Sequence, residues 1–384
     1  MPTKTLRLNM PQWQGGTEPA YRFGAELLRW LAPVHEGPEE TIEVPAANGQ
    51  PLEIEQDIKA RTALLSQARA ARAAIERHQP DRIVALGGDC LVDLAPMAYL
   101  NRRYDGKLGV LWVDAHPDVM SAAEFSHAHA HVLGMLLGRG DADFTAEVEH
   151  KLNPARVMIA GMSDWTPAEG NILQQLGIRH TSAADLAESS QSILDWIKAE
   201  GISHLAVHFD LDVLDAAHFS PLLFNKPEQP EGTFNGIVQG TMRLGQVIRL
   251  LQDASGACDM VGLAFAEFLP WDMLRLKNAM ASLPIMQRWP APVTPPPEPA
   301  RRRRRPDLAV GLEHRARPLP RPDLRCTAPR AERAWARCRS RLFLRLDGPP
   351  HGTRQSGLDF YRQLYRQFFC WPAIATDSRR DLFF

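Results

Sequence analysis

Three short stretches gather side chains that could bind a divalent cation and activate water. Residues 108–118 read LGVLWVDAHPD, an apolar run that ends abruptly in Asp114, His116 and Asp118. Residues 82–90, RIVALGGDC, form a second apolar run closing on Gly-Gly-Asp-Cys, and residues 204–215, HLAVHFDLDVLD, a third closing on Asp210, Asp212 and Asp215. Carboxylate and imidazole are ligands for divalent ions, and an ion so held lowers the pKa of water. The i, i+2, i+4 spacing of Asp114, His116 and Asp118 places all three on one side of an extended segment, or converges them in a turn just past it. Taken alone, the stretch fits a helix cap followed by an exposed loop histidine equally well. The recurrence at three strand ends favours the metal, because aspartates there are costly to desolvate without a counter-charge.

The elements that must carry these ends follow from periodicity. Strands are predicted over 4–9, 41–44, 82–87, 108–113, 156–160, 204–209 and 260–266, with a short strand or turn at 178–182. Helices are predicted over 56–78 and 271–282 and near 91–103, 127–139, 166–176, 187–200 and 240–252. Pro80 closes the first helix, and Asn153-Pro154 marks a turn before the strand at 156. Helices alternating with strands that are apolar throughout predict an α/β fold: an open, mostly parallel sheet of about eight strands with helices on both faces. In such sheets the carboxyl ends of the strands carry the chemistry.

Composition divides the chain in two. Residues 291–384 hold about 20 Arg, no Lys and about 9 acidic residues, a charge near +11, whereas the part before them is near −12. Residues 1–290 are therefore expected to form the α/β domain. Residues 291–384, opening PAPVTPPPEPARRRRRPD, read as a disordered or non-native Pro/Arg-rich extension. Five consecutive Arg invite a nucleic-acid reading, but the low complexity around them argues against one. There is no leader-like start and no apolar run of roughly 18 residues, so a cytoplasmic location away from membranes is expected. Five cysteines without a CxxC pair make no disulfide framework.

Taken together and in order, GGDC at 87–90, DAHPD at 114–118 and DLDVLD at 210–215 resemble the three metal motifs of the arginase–agmatinase (ureohydrolase) family, GGDH, DAHxD and DxDxxDP. The resemblance runs from about residue 5 to about residue 288. It implies an arginase-like fold, two Mn2+ ions per subunit, and hydrolysis of a guanidino or amidino C–N bond with release of urea or a related amide. It further implies that Asp114 and Asp210 bridge the ions, that His116 and Asp212 bind the second, and that Asp118 binds the first and orients the attacking water. Glu267, in GLAFAEF, matches the glutamate that receives the substrate guanidinium; read without the resemblance it could cap the next helix. His127, His129 and His131 lie where the family places a proton-shuttling histidine, and the register before VLG favours His129. A homo-oligomer, trimer or hexamer, is implied as well.

This sequence departs from the family pattern at three places. Cys90 replaces the histidine of GGDH, and thiolate favours Zn2+ or another late transition metal over Mn2+. That leaves open an altered binuclear site, a single-metal amide hydrolase of the deacetylase type, or a catalytically degenerate binding protein. Ala216 replaces the proline after Asp215, and the Ser-Gly-Asn stretch that contacts the amino-acid head group of arginine is missing. Agmatine, a guanidino acid or a formimino compound therefore fits as well as arginine. The loops at 119–128 and 216–236, the latter with Lys226, are the candidate specificity elements.

Overall fold

The computed structural model describes residues 3–162 and 165–286. The predicted Pro/Arg-rich extension at 291–384 lies outside them. Eight strands make the main sheet: β1 (Thr5–Met10), β2 (Glu39–Thr41), β3 (Arg82–Gly87), β4 (Gly109–Val113), β5 (Val157–Gly161), β6 (Arg179–Ser182), β7 (His204–Asp210) and β8 (Asp259–Ala266). Their spatial order is β2-β1-β3-β8-β7-β4-β5-β6, and every pairing is parallel. The sheet of about eight strands expected from the sequence is thus the fold observed.

Both faces are covered, which is why the central strands read as unbroken apolar runs. Helices Arg61–His78 and Leu94–Arg103 pack Leu64, Ile75, Met97 and Leu100 against one face, with Val110 and Trp112. Helices Gln191–Ala199 and Leu244–Ala257 pack Ile193, Trp196, Val247 and Leu250 against the other, with Leu111, Val207 and Phe209. Strands β3, β8, β7 and β4 are neighbours at the middle of the sheet, so the ends of the three motif strands and of the Glu267 strand open side by side. No helix among the described residues is long and apolar enough to cross a membrane.

Local geometry shifts several expected boundaries. The helix expected from residue 56 begins at Arg61, because Gln56, Asp57 and Ala60 adopt left-handed φ of 50°, 64° and 51°. Those turns fold Ile54–Glu55 and Ile58–Lys59 into a short antiparallel pair. The helix expected near 127–139 is a turn of 3-10 helix, Ala128–His131, running into Val132–Leu136. A helix at Ala20–Leu31 was not anticipated; it buries only Ala20, Tyr21, Gly24 and Ala25.

Candidate metal centre

The GGDC turn positions its cysteine by close backbone packing. A Cβ on Gly88 would lie 1.6 Å from the Gln12 carbonyl oxygen, so only glycine fits there. Asp89 is fully buried and accepts N–H bonds from Gly15 (2.8 Å), Gly16 (3.2 Å) and Leu91 (3.2 Å), while burial pushes its carboxyl up to about 7. Its work is to tie the 12–16 loop to the strand end. Cys90 follows with its thiol 2.9 Å from Asp210 Oδ2 and 3.6 Å from Glu267 Oε1.

Asp114 stands at the centre. Its Oδ1 accepts the His116 N–H at 2.7 Å and its Oδ2 the Trp112 indole N–H at 3.0 Å. Burial raises this carboxyl, but the neighbouring His116 and His208 imidazoles outweigh it and hold the group well below the usual carboxylate range. His116 Nε2 donates to the Val238 carbonyl at 3.1 Å, which turns Nδ1 toward Asp212 Oδ2, 3.0 Å away. The 3-10 turn Leu211–Val213 begins with Asp210 Oδ1 accepting the Asp212 N–H at 2.7 Å, which fixes both carboxylates at the end of β7.

Asp118 and Glu267 are held in left-handed backbone, with φ of 49° and 63°. That conformation costs a β-carbon residue on the order of 1 kcal/mol and concentrates at functional sites. The Glu267 N–H donates to the Gly88 carbonyl at 2.8 Å, locking the end of β8 to the GGDC turn. The Glu267 side chain points into the site rather than capping the following helix: its Oε1 is 3.2 Å from His129 Nδ1. One proton must bridge those two atoms. The other two histidines are engaged elsewhere, His127 with the Lys59 ammonium (2.7 Å) and His131 with the Phe125 carbonyl (2.7 Å).

The donor set fits divalent metal. The ligand atoms of Asp114, His116 and Asp212 lie within 4.8 Å of one another, as do those of Cys90, Asp114, His208 and Asp210. Asp114 belongs to both groups. Asp118 belongs to neither, yet its Oδ2 is buried without a hydrogen-bond partner, and so are Asp212 Oδ1 and His208 Nε2. Among the described residues no Lys or Arg pairs with Asp114, Asp118, Asp210, Asp212 or Glu267. Burial is the main cause that pushes Asp118, Asp210 and Asp212 up, and neighbouring carboxylates add to it. Burial also raises the Cys90 thiol, with Asp210 adding to it. Orphaned lone pairs and uncompensated buried carboxylates are what a divalent cation relieves.

Two residues of this site escaped the sequence reading, His208 and Asp93. His208 is fully buried inside β7, and its Nδ1 lies 2.5 Å from Asp93 Oδ2. The signal was there: an imidazole inside a strand buried on both faces needs a partner. The site opens into a cleft of about 550 Å³ whose floor includes Cys90, His116, Asp118, Asp210, Asp212, His129 and Glu267 and whose walls include Phe125, Trp165 and Phe224. Lys226 lines the same cleft, but its ammonium sits 2.6 Å from Glu18.

Comparison with known proteins agrees with this picture. The arginase-family model matches residues 16–221. An arginase of Eremothecium gossypii is 29% identical over 156 residues, covering 38% of each chain. An arginase of Staphylococcus aureus is 23% identical over 139 residues, 34% of this chain and 46% of the relative. The chain thus spans less than half the length of these curated relatives. Among solved structures, the native arginase of Bacillus caldovelox superposes with TM-score 0.60 at 19% identity, and an Entamoeba histolytica arginase in complex with L-ornithine with TM-score 0.59 at 19%. Each superposition covers 70% of this chain and 91% of the other, which establishes a shared fold. With more than half its residues matched by the family model and its strand ends arranged as described, the chain belongs to the arginase family.

Proposed function

We propose that this protein is a metal-dependent ureohydrolase that cleaves a C–N bond of a guanidino or amidino substrate. The observation that carries this reading is the pair of ligand groups sharing Asp114 at the floor of a cleft, with Glu267 and His129 beside them. Divalent ions held there would acidify water into a nucleophile near neutral pH. Asp114, common to both groups, would serve both ions, as would Asp210 by the family resemblance, with Cys90 and Asp118 holding one and His116 and Asp212 the other.

The remaining work falls to side chains. Glu267 offers a carboxylate to the planar guanidinium, a geometry suited to paired N–H···O bonds. Asp118 lines the cleft with a free Oδ2 that can accept a hydrogen bond from the attacking water. As the new C–O bond forms and the C–N bond breaks, the leaving amine takes up a proton. His129 is placed to deliver it, lining the cleft with its Nδ1 3.2 Å from Glu267 Oε1.

The cleft bears on the substrate class. Its lysine is neutralised by Glu18, whereas Glu124 and Glu169 are among its other lining groups and aromatic rings form the walls. A substrate whose far end is apolar or cationic suits this lining better than one ending in a carboxylate. The test is urea release by the full chain, loaded with Mn2+ or Zn2+, from guanidino compounds with cationic, neutral and carboxylate ends. A formimino compound is added for the amidino case and read by amide release; urea from the first two in preference to the third is expected, and absence of both urea and amide refutes the hydrolase.

A further inference from the structure

We infer that His208, held by Asp93, supplies the imidazole that the GGDC turn lacks, and that with Cys90 it builds a nitrogen–sulfur metal site for a Zn2+-class ion beside the oxygen-rich Asp114–His116–Asp212 site. The inference deepens the hydrolase reading and rests on it for the presence of metal. Cys90 follows the end of β3 and His208 lies within β7, and those two strands are separated by β8. His208 pairs with Trp112 across β7 and β4, two residues before the Asp210 and Asp114 ends.

The ring is built as a ligand rather than as core filling. Its Nδ1 lies 2.5 Å from Asp93 Oδ2, so Nδ1 donates and the Nε2 lone pair is left for a metal. Trp112 stacks on the ring, with centroids 3.8 Å apart and planes 14° apart, and fixes its orientation. Nε2 is fully buried without a hydrogen-bond partner. Its nearest carboxylate oxygen, Asp114 Oδ2, is 3.6 Å away, beyond hydrogen-bond reach, and already accepts the Trp112 N–H. Within 4.8 Å of one another lie a ring nitrogen of His208, Cys90 Sγ and oxygens of Asp114 and Asp210, a four-donor set, and it is Nε2 that faces Asp114. One thiolate and one imidazole among four ligands suit Zn2+, whereas two carboxylates with one imidazole suit Mn2+. A carboxylate behind a ligating histidine is also the usual support for a zinc-bound ring.

The test uses the full chain, stripped of metal and dialysed against equimolar Zn2+ and Mn2+. Elemental analysis should find one Zn2+ and one Mn2+ per chain. In His208→Gln, whose amide can still donate to Asp93, Zn2+ should be lost and Mn2+ retained. In Asp93→Asn, Zn2+ affinity should fall about 10–100-fold, the range for loss of a carboxylate behind a ligating histidine. With Co2+ in place of Zn2+, the wild type should show a thiolate-to-metal charge-transfer band that His208→Gln shifts or abolishes. Wild-type Zn2+ retention and an unchanged Co2+ spectrum in both variants overturn the inference and leave the hydrolase standing. A His208-dependent Zn2+ site without urea release upholds the inference and rejects the hydrolase.

Discussion

Asp210→Asn should make the metal-free protein more stable and the metal-loaded protein less so. In the absence of an ion, Asp210 and Asp114 offer carboxylate oxygens within 4.8 Å of each other, both fully or almost fully buried. Two unit charges at that separation repel by about 3.5 kcal/mol at an effective dielectric of about 20. Uptake of a proton by Asp210 relieves part of this, so a net gain of about 1–3 kcal/mol is expected on removing the charge. Asparagine keeps the Oδ1 that accepts the Asp212 N–H. For a domain of this size that corresponds to a rise in Tm of roughly 2–6 °C. The sign with pH is fixed: burial, with Asp212 and Asp114 adding to it, raises the folded pKa of Asp210 above its unfolded value. Metal-free wild type therefore loses stability as pH rises from the unfolded carboxyl pKa toward the folded one, and the variant lacks that component. Saturating ion at about 100 times its Kd adds about 2.7 kcal/mol to the wild type and much less to the variant, which has lost a shared ligand. Scanning calorimetry with chelator and with Mn2+, from pH 5 to 8, measures all of this. A metal-free variant that melts below the metal-free wild type at pH 7.5, or one that gains as much from Mn2+, refutes the reasoning.

Three further outcomes are expected. Glu267→Gln should lower kcat/KM by about 100-fold or more, through loss of a charge-assisted acceptor, with metal content unchanged by elemental analysis. His129→Asn should lower kcat by about 10²–10⁴-fold at unchanged metal content, with partial rescue by added imidazole; equal loss of metal would make it a ligand instead. Cys90→His should raise Mn2+ affinity relative to Zn2+, read by competitive loading, and unchanged metal preference would place residue 90 away from the ions.

Much of the fold was legible because its signals are local. Strands buried on two faces have to be apolar throughout, and Asp114, Asp118, Asp210 and Asp212 at their ends stand out against that background. The helix Trp271–Ser282 was found at its exact bounds because its composition, flanked by Pro270, is unambiguous. The amphipathic helix Ala20–Leu31 was missed: it opens on a proline without a side-chain cap and exposes Trp30 and Leu31, so neither its start nor its apolar stripe reads as a core helix.

The sequence by itself determined the alternating α/β architecture and the residue types gathered at three strand ends, since both follow from short-range periodicity and from the cost of burying charge. Only the tertiary structure decided which of those residues meet. Among His127, His129 and His131, a turn of 3-10 helix aims His129 alone at Glu267, residues separated by more than a hundred positions. Asp89 lies one residue from Cys90 yet turns to the 12–16 loop, while Asp93, just ahead of the helix that starts at Leu94, reaches across to His208. Strand order and register set those encounters, and they depend on the packing of the whole sheet, which no single stretch of sequence encodes.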